Sequence, residues 1–290
     1  MQTLPVMLAP PPRRVPLSLA VVNLCNGAAQ IGWFVFGFGM IFAWAFIGNA
    51  DFSAITFRGP HAEAAGRLTE VAETGASENE TPVVAHHYEF SAGGQRFTGT
   101  SYSTGGGGVA GDRVAIEYNE DDPARSRIAG MRRARFGPLV SLVGIFAFIG
   151  AVIVYFSTRS GVRRNHLLCN GALAMGTLVN KESTNMTVND RRVYKLTFEF
   201  TARDGRRCQA STSTSVTARL EDDAQEALLY DPDQPDRAYL LDEAPGRPQF
   251  EMNGEMRGRP IAALASTIIP GIVIGVNVLT LAWRMGLVTR

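Results

Sequence analysis

Three long stretches without Asp, Glu, Lys, Arg or His constrain this chain of 290 residues more than any other feature. They cover residues 31–48, 137–157 and 260–283. A helix of ~20 apolar residues crosses the ~30 Å hydrocarbon layer of a bilayer. The middle stretch holds twelve Leu, Ile, Val and Phe residues. At roughly −0.3 to −0.6 kcal/mol each, inserting it gains about 4 to 7 kcal/mol before the backbone is counted, and no charge opposes the gain. The residues between the stretches are polar, so the pattern predicts three transmembrane helices separated by sizeable extramembrane segments.

The flanks agree. Trp33, Trp44, Tyr155, Phe156 and Trp283 stand near the ends of the spans, where aromatic belts form. Arg13 and Arg14 precede the first span, Arg132, Arg133 and Arg135 the second, and Arg159, Arg163 and Arg164 follow the second. The Arg13–Arg14 pair also suits a twin-arginine export signal. The apolar run after it is too long for a signal peptide, which favours an uncleaved anchor with a cytoplasmic flank. No ionisable group lies mid-membrane, which argues against a proton relay, an ion pump or a voltage sensor. In the third span Gly271 and Gly275 form GxxxG beside Pro270. The spacing reads either as a close helix–helix or dimer contact, or as the ordinary abundance of glycine in membrane helices. Asn277 is expected to hydrogen-bond to a neighbouring helix.

Internal repetition organises the polar segments. Gly66-Arg67-Leu68 leads to Tyr88-Glu89-Phe90, and Gly176-Thr177-Leu178 leads to Phe198-Glu199-Phe200, so both landmarks recur 110 residues later. Tyr118, Pro123 and Arg125 recur as Tyr230, Pro235 and Arg237 at an offset of 112. Within each segment the pattern is that of strands. Tyr194, Leu196, Phe198 and Phe200 alternate with Lys195, Thr197, Glu199 and Thr201, giving one apolar face. Asp204-Gly205 and Gly93-Gly94 mark hairpin turns. About five short strands per ~70 residues suit a small barrel or sandwich.

The order is small-x-Gly-x-hydrophobic, aromatic-Glu-Phe, a Gly turn, a Thr/Ser-rich strand and Tyr-x-x-x-x-Pro. It resembles the bacterial domain-of-unknown-function family 3592, a membrane-anchored β-domain. In the second segment Gly171, Ala174, Gly176, Phe198, Phe200, Gly205, Tyr230, Pro232 and Pro235 carry the likeness. In the first it rests on Gly66, Tyr88, Phe90, Gly94, Asp112, Val114, Tyr118 and Pro123. The first departs by Asn119-Glu120 where the second has Asp231-Pro232, and by the run Gly105 to Gly108. The resemblance implies a fold and membrane attachment, and no catalytic residues.

Candidate chemistry is thin. His86 and His87 are adjacent, so on a strand they point to opposite faces and cannot share a metal; His61 and His166 lie apart from them. Gly105 to Gly108 lacks the Lys-Ser/Thr of a phosphate loop and reads as a flexible hairpin loop. Glu120-Asp121-Asp122 and Glu221-Asp222-Asp223 lack the alternating ligands of a calcium loop and read as solvated turns. Asp231-Pro232-Asp233-Gln234-Pro235 is a rigid turn. Cys169 and Cys208 both lie in the second segment, which fits either a reducing compartment or a mutual disulfide. No catalytic constellation, cofactor site or metal site is expected. A net charge of +1 gives no reason to expect a nucleic-acid partner.

The expected architecture is α-helical membrane plus all-β. Residues 1–14 form a disordered Pro-rich tail and 15–49 the first transmembrane helix. Residues 50–135 are the first β-domain, 136–158 the second helix, 159–258 the second β-domain and 259–286 the third helix. One span between the two domains places them on opposite membrane faces, with the N-terminus and second domain in the cytoplasm of a bacterium and the first domain periplasmic. The expected role is a non-catalytic inner-membrane scaffold with the bilayer and a protein partner, or a second copy, as its partners. Alternatives are an accessory subunit of a transporter or envelope-processing complex, and a membrane enzyme acting through His86, His87 or Asp112.

Overall fold

The computed structural model describes residues 8–243 and 248–287. Residues 1–7 of the expected tail lie outside them. The chain divides into two compact units, Phe38–Phe148 and Met1–Gly37 with Ile149–Arg290.

Three helices are long and apolar enough to cross a membrane, at Ala28–Asn49, Pro138–Asn170 and Pro260–Arg284. Their surfaces expose side chains that water would not tolerate in this number: Phe34 is 63%, Phe148 68% and Leu264 71% accessible. The first expected helix is in fact two. A short helix α1 (Leu17–Cys25) ends at Asn26-Gly27, and α2 (Ala28–Phe46) follows. Asn26 is extended and Gly27 has φ +63°, a conformation that stops a right-handed helix.

In the unit Phe38–Phe148 a one-turn helix α3 (Ser53–Thr56) precedes five strands: β1 (His61–Glu78), β2 (Thr81–Ala92), β3 (Gln95–Thr104), β4 (Arg113–Asn119) and β5 (Ser126–Ile128). They form one antiparallel sheet in the order β3-β2-β1-β4-β5. Its core is Leu68, Tyr88, Phe90, Ile116 and Ile128. Burying each such side chain contributes about 1.5–3 kcal/mol. The sheet curls until its edges meet. Tyr102 and Arg132 exchange N–H···O bonds of 2.8 and 3.0 Å, and the Ile128 N–H donates to Ser101 Oγ at 2.8 Å. Gly93 and Gly94 both take positive φ, as a two-residue turn with this twist requires. Gly105 to Gly108 is no hairpin loop: β3 and β4 lie on opposite sides of β2 and β1, so the glycines carry a crossover between strands that do not pair.

In the other unit α4 (Gly144–Asn170) runs into β6 (Ala172–Val188), followed by β7 (Arg191–Thr201), β8 (Arg207–Thr214), β9 (Glu226–Tyr230), β10 (Ala238–Leu240) and the helix α5 (Pro260–Arg284). The helix α4 continues past the expected boundary at residue 158. Residues 159–170 are therefore helix and not β-domain: the helix runs through Gly161, which packs against the Asn23 backbone, and ends at Asn170 before Gly171. The sheet order is β10-β9-β6-β7-β8. Its core holds Leu196, Phe198, Phe200, Leu228 and Tyr230. Leu229 points the other way and joins Leu19, Leu167, Leu168, Leu241 and Met256, which ties β9 to α1 and the end of α4.

The expected disorder does not extend over residues 8–14. Leu8 and Val15 pack on this second cluster, and the buried Arg13 donates from Nη1 to Leu168 O (3.2 Å) and Gly171 O (2.9 Å) and from Nε to Ala9 O (2.6 Å). A cation over the last carbonyls of α4 satisfies acceptors that the helix leaves open.

The two sheets share their irregularities. Register shifts between Leu68/Glu70 and Glu73/Ser77 in β1 recur between Leu178/Asn180 and Ser183/Thr187 in β6. Thr74 Oγ1 donates to Val83 O at 2.7 Å, and Thr184 Oγ1 to Val193 O at 2.8 Å. Asn79-Glu80 and Asn189-Asp190 both turn with positive φ. After β4 the Asn119 N–H donates to Arg125 O, and after β9 the Asp231 N–H donates to Arg237 O, each at 3.0 Å.

Candidate functional site

Gly271 and Gly275 sit on α5, and a Cβ placed on either would meet nothing within 4 Å. Their face is open among the described residues. Asn277 Nδ2 donates to Val273 O of its own helix at 2.8 Å. The close helix approaches are made elsewhere. A Cβ at Gly32 would lie 2.9 Å from Ile153, and one at Gly37 would lie 2.6 Å from Val273. Gly39 meets the backbone of Ala147, Gly150 that of Phe36, and Gly161 that of Asn23. These glycines have no GxxxG spacing, so pattern reading passes over them; their only signal is small residues inside long apolar helices.

On β2, His86 is fully buried and His87 half-buried. His86 Nε2 lies 3.0 Å from Ser103 Oγ, while His87 Nδ1 lies 2.9 Å from Thr100 Oγ1. Ser103 donates its proton to Gly105 O (2.6 Å), so His86 Nε2 is the donor in its bond. That polarity is opposite to a base activating a serine. Nδ1 has no hydrogen-bond partner among the described residues, and burial pushes the imidazole below its ordinary value. The partner position in the second sheet is Leu196.

Glu120-Asp121-Asp122 lies exposed after β4, its Asp121 and Asp122 N–H groups donating to Asn119 Oδ1. The second cluster conceals something the strand pattern missed. Glu226 at the start of β9 is only 3% accessible, at the position where the first sheet has Val114. Burial, then Asp242, Asp222 and Asp223, raise its carboxyl to about 7. Asp242 is itself raised, chiefly by burial. The signal available in the sequence was an acid on an inward-facing strand position.

Asp231 builds its turn as expected: Oδ1 accepts from Asp233 N–H at 3.0 Å and the backbone O from Gln234 N–H at 3.1 Å. Cys25, Cys169 and Cys208 are all free thiols, and Cys208 is buried opposite Phe200, so the alternative of a Cys169–Cys208 disulfide is not realised.

Two surface features offer room for a partner. The outer side of β6 pairs with β9 only from Ala172 to Gly176. Beyond that, the strand to Val188 has no backbone partner on this side among the described residues, and it exposes Val179 (51%), Met186 (64%) and Val188 (46%). The matching arm of the first sheet is held down: Glu78 pairs with Arg132 at 2.8 Å and accepts from Gly137 N–H at 2.9 Å. The second feature is a cleft of about 520 Å³ between the end of α4 and the β9–β10 turn, walled by Arg163, Arg164 and Arg237.

Comparisons of the chain with protein-family models, with curated proteins and with solved structures returned no match.

Proposed function

We propose that this chain is a non-catalytic scaffold of the bacterial inner membrane, anchored by three helices, that holds two copies of one small barrel-like β module for a protein partner. The recurrence of both register shifts, the Thr–carbonyl bonds and the Asn-led turns at an offset of 110 supports a duplicated unit. The curling of the first sheet onto Arg132 supports a barrel over a sandwich. The observation that carries the functional reading is the outer edge of β6 from Glu182 to Val188, beyond the stretch where Gln225 bonds to Thr177 and Glu221 pairs with Lys181. Among the described residues this stretch has no backbone partner on that side; exposed Met186 and Val188 flank it, the Met186 N–H being held by Thr184 Oγ1 at 3.3 Å. Such an edge accepts an added strand, main-chain bonds giving affinity and the apolar side chains giving selectivity.

A photo-cross-linking side chain in place of Met186, in full-length protein in its native membrane, tests this. Discrete adducts that disappear when Val179 and Val188 become lysine support the reading. Recovery of the chain alone, from several detergents and without adducts, refutes it. The N-terminus is proposed to be cytoplasmic. A Met186→Cys variant lacking the three native cysteines is then protected from an impermeant thiol reagent in intact cells, and labelling would reverse the orientation.

A second reading, an accessory subunit of a larger membrane complex, is favoured by the open Gly271–Gly275 face of α5, which leaves room for a close-packed helix. Co-purification of membrane-embedded proteins that is lost in Gly271→Leu/Gly275→Leu separates it from the first.

A further inference from the structure

The cleft at the end of α4 has a location that gives its charges meaning. The apolar run ends at Ser157, and Ser160 and Arg164 follow three and seven residues later on the same unbroken helix. At 1.5 Å per residue they stand about 4 and 10 Å beyond that end. The polar headgroup layer of a bilayer is about 5–7 Å thick on each side. The Cα–Cβ bonds of a helix lean toward its N-terminus, which in α4 is the end within the apolar run. Arg163 and Arg164 therefore lean back toward the bilayer surface. Arg237, from the turn between β9 and β10, closes the other side of the cleft, with Tyr239 as a wall. None of the three guanidinium groups has a carboxylate within 4 Å among the described residues. Asp231 and Asp236 also line the cleft, and Val162 and Leu167 give it an apolar part. A volume of about 520 Å³ is within the range of small-molecule sites.

We propose that this cleft binds the headgroup of a membrane glycerophospholipid. The phosphate lies against Arg163, Arg164 and Arg237, and the distal hydroxyl or ammonium end donates to Asp231 and Asp236. Guanidinium groups suit phosphate oxygens by charge and by their planar set of donors. The carboxylates select a headgroup that carries O–H or N–H donors and disfavour choline, which has none. The proposal rests on α4 crossing the bilayer, and it is independent of what docks on β6.

The test uses the full chain in a mild non-ionic detergent, titrated with short-chain phosphatidylglycerol, phosphatidylethanolamine or phosphatidylcholine, and separately with inorganic phosphate. Binding is read by native mass spectrometry. Phosphatidylglycerol and phosphatidylethanolamine are expected to bind more tightly than phosphatidylcholine. Arg163→Gln/Arg164→Gln should weaken both about 25-fold, from about fivefold per charge at a membrane surface. Asp236→Asn should narrow the gap to phosphatidylcholine, and Arg192→Gln, on the exposed start of β7, should change nothing. Equal binding of all three lipids, or unchanged binding in the double variant, overturns the proposal. Inorganic phosphate binding as tightly as the lipids assigns the cleft to a soluble anion and overturns the lipid source. If the double variant does not fold, photoactivatable phosphatidylglycerol on the unaltered chain decides. Adducts on peptides spanning 160–167 or 231–239 support the proposal, and adducts confined elsewhere refute it.

Discussion

Replacing Glu226 by glutamine should make the second β module more stable at alkaline pH and leave it unchanged at acid pH. The carboxyl is buried beside Asp242, Asp222 and Asp223, and its folded value is about 7 against an ordinary 4.5. That difference corresponds to about 3 kcal/mol, trimmed to about 2 because the exposed Asp222 leaves the surroundings partly hydrated. A carboxyl raised on folding binds its proton more tightly in the folded state. The native module is therefore progressively destabilised as pH rises from about 4.5 to about 7, and the penalty is complete above that. Glutamine keeps the shape and removes the charge. Hydrogen exchange of the β7 and β9 amides, corrected for intrinsic rates and followed by mass spectrometry on full-length protein in detergent, reads the opening free energy of this module. The variant and the parent should coincide near pH 4 and differ by about 2 kcal/mol at pH 8. A gap that is constant with pH, or a parent whose protection does not decline over this range, would refute the argument that a buried charge is being carried.

Other substitutions follow from the same geometry. The first module should respond to pH in the opposite sense. His86 is held below its ordinary value of 6.5 by burial, so the unfolded chain takes up the proton first and stability falls as pH drops below about 6.5. His86→Leu should abolish that dependence in the exchange of β2 amides. Arg13→Met removes three hydrogen bonds to backbone carbonyls and should lower stability by about 2–4 kcal/mol, visible as a lower melting temperature in detergent. Gly150→Leu should prevent recovery of monodisperse protein, because its Cβ would overlap the backbone of Phe36, whereas Gly271→Leu should leave recovery intact.

The sequence reading succeeded where a single physical rule dominates. Uncharged stretches of twenty residues have one economical fate, and the helices duly appear at residues 28–49, 138–170 and 260–284. Strand alternation located Tyr88, Phe90, Phe198 and Phe200 in their cores. Glycine marked the turns at Gly93-Gly94 and Gly205 but not the one at Asn79-Glu80, where asparagine leads a turn with no glycine at all. Boundaries were less legible. A polar helix such as residues 159–170 has no apolar run to announce it and is held by tertiary contacts of Leu167 and Leu168. Arg13 read only as the flank of a membrane anchor, because two of its carbonyl partners lie more than 150 residues away. The α4 cleft was invisible for the same reason, since it depends on which residues the fold brings together; Glu226 left only the weak mark of an acid in phase with Leu228 and Tyr230.

Whether the three apolar helices lie in lipid is the claim on which the rest stands, and alkaline carbonate extraction of native membranes followed by flotation tests it directly. The account predicts that the full chain stays with the lipid fraction and leaves it only in detergent. Release of a stable, monomeric, detergent-free protein into the aqueous fraction would contradict it.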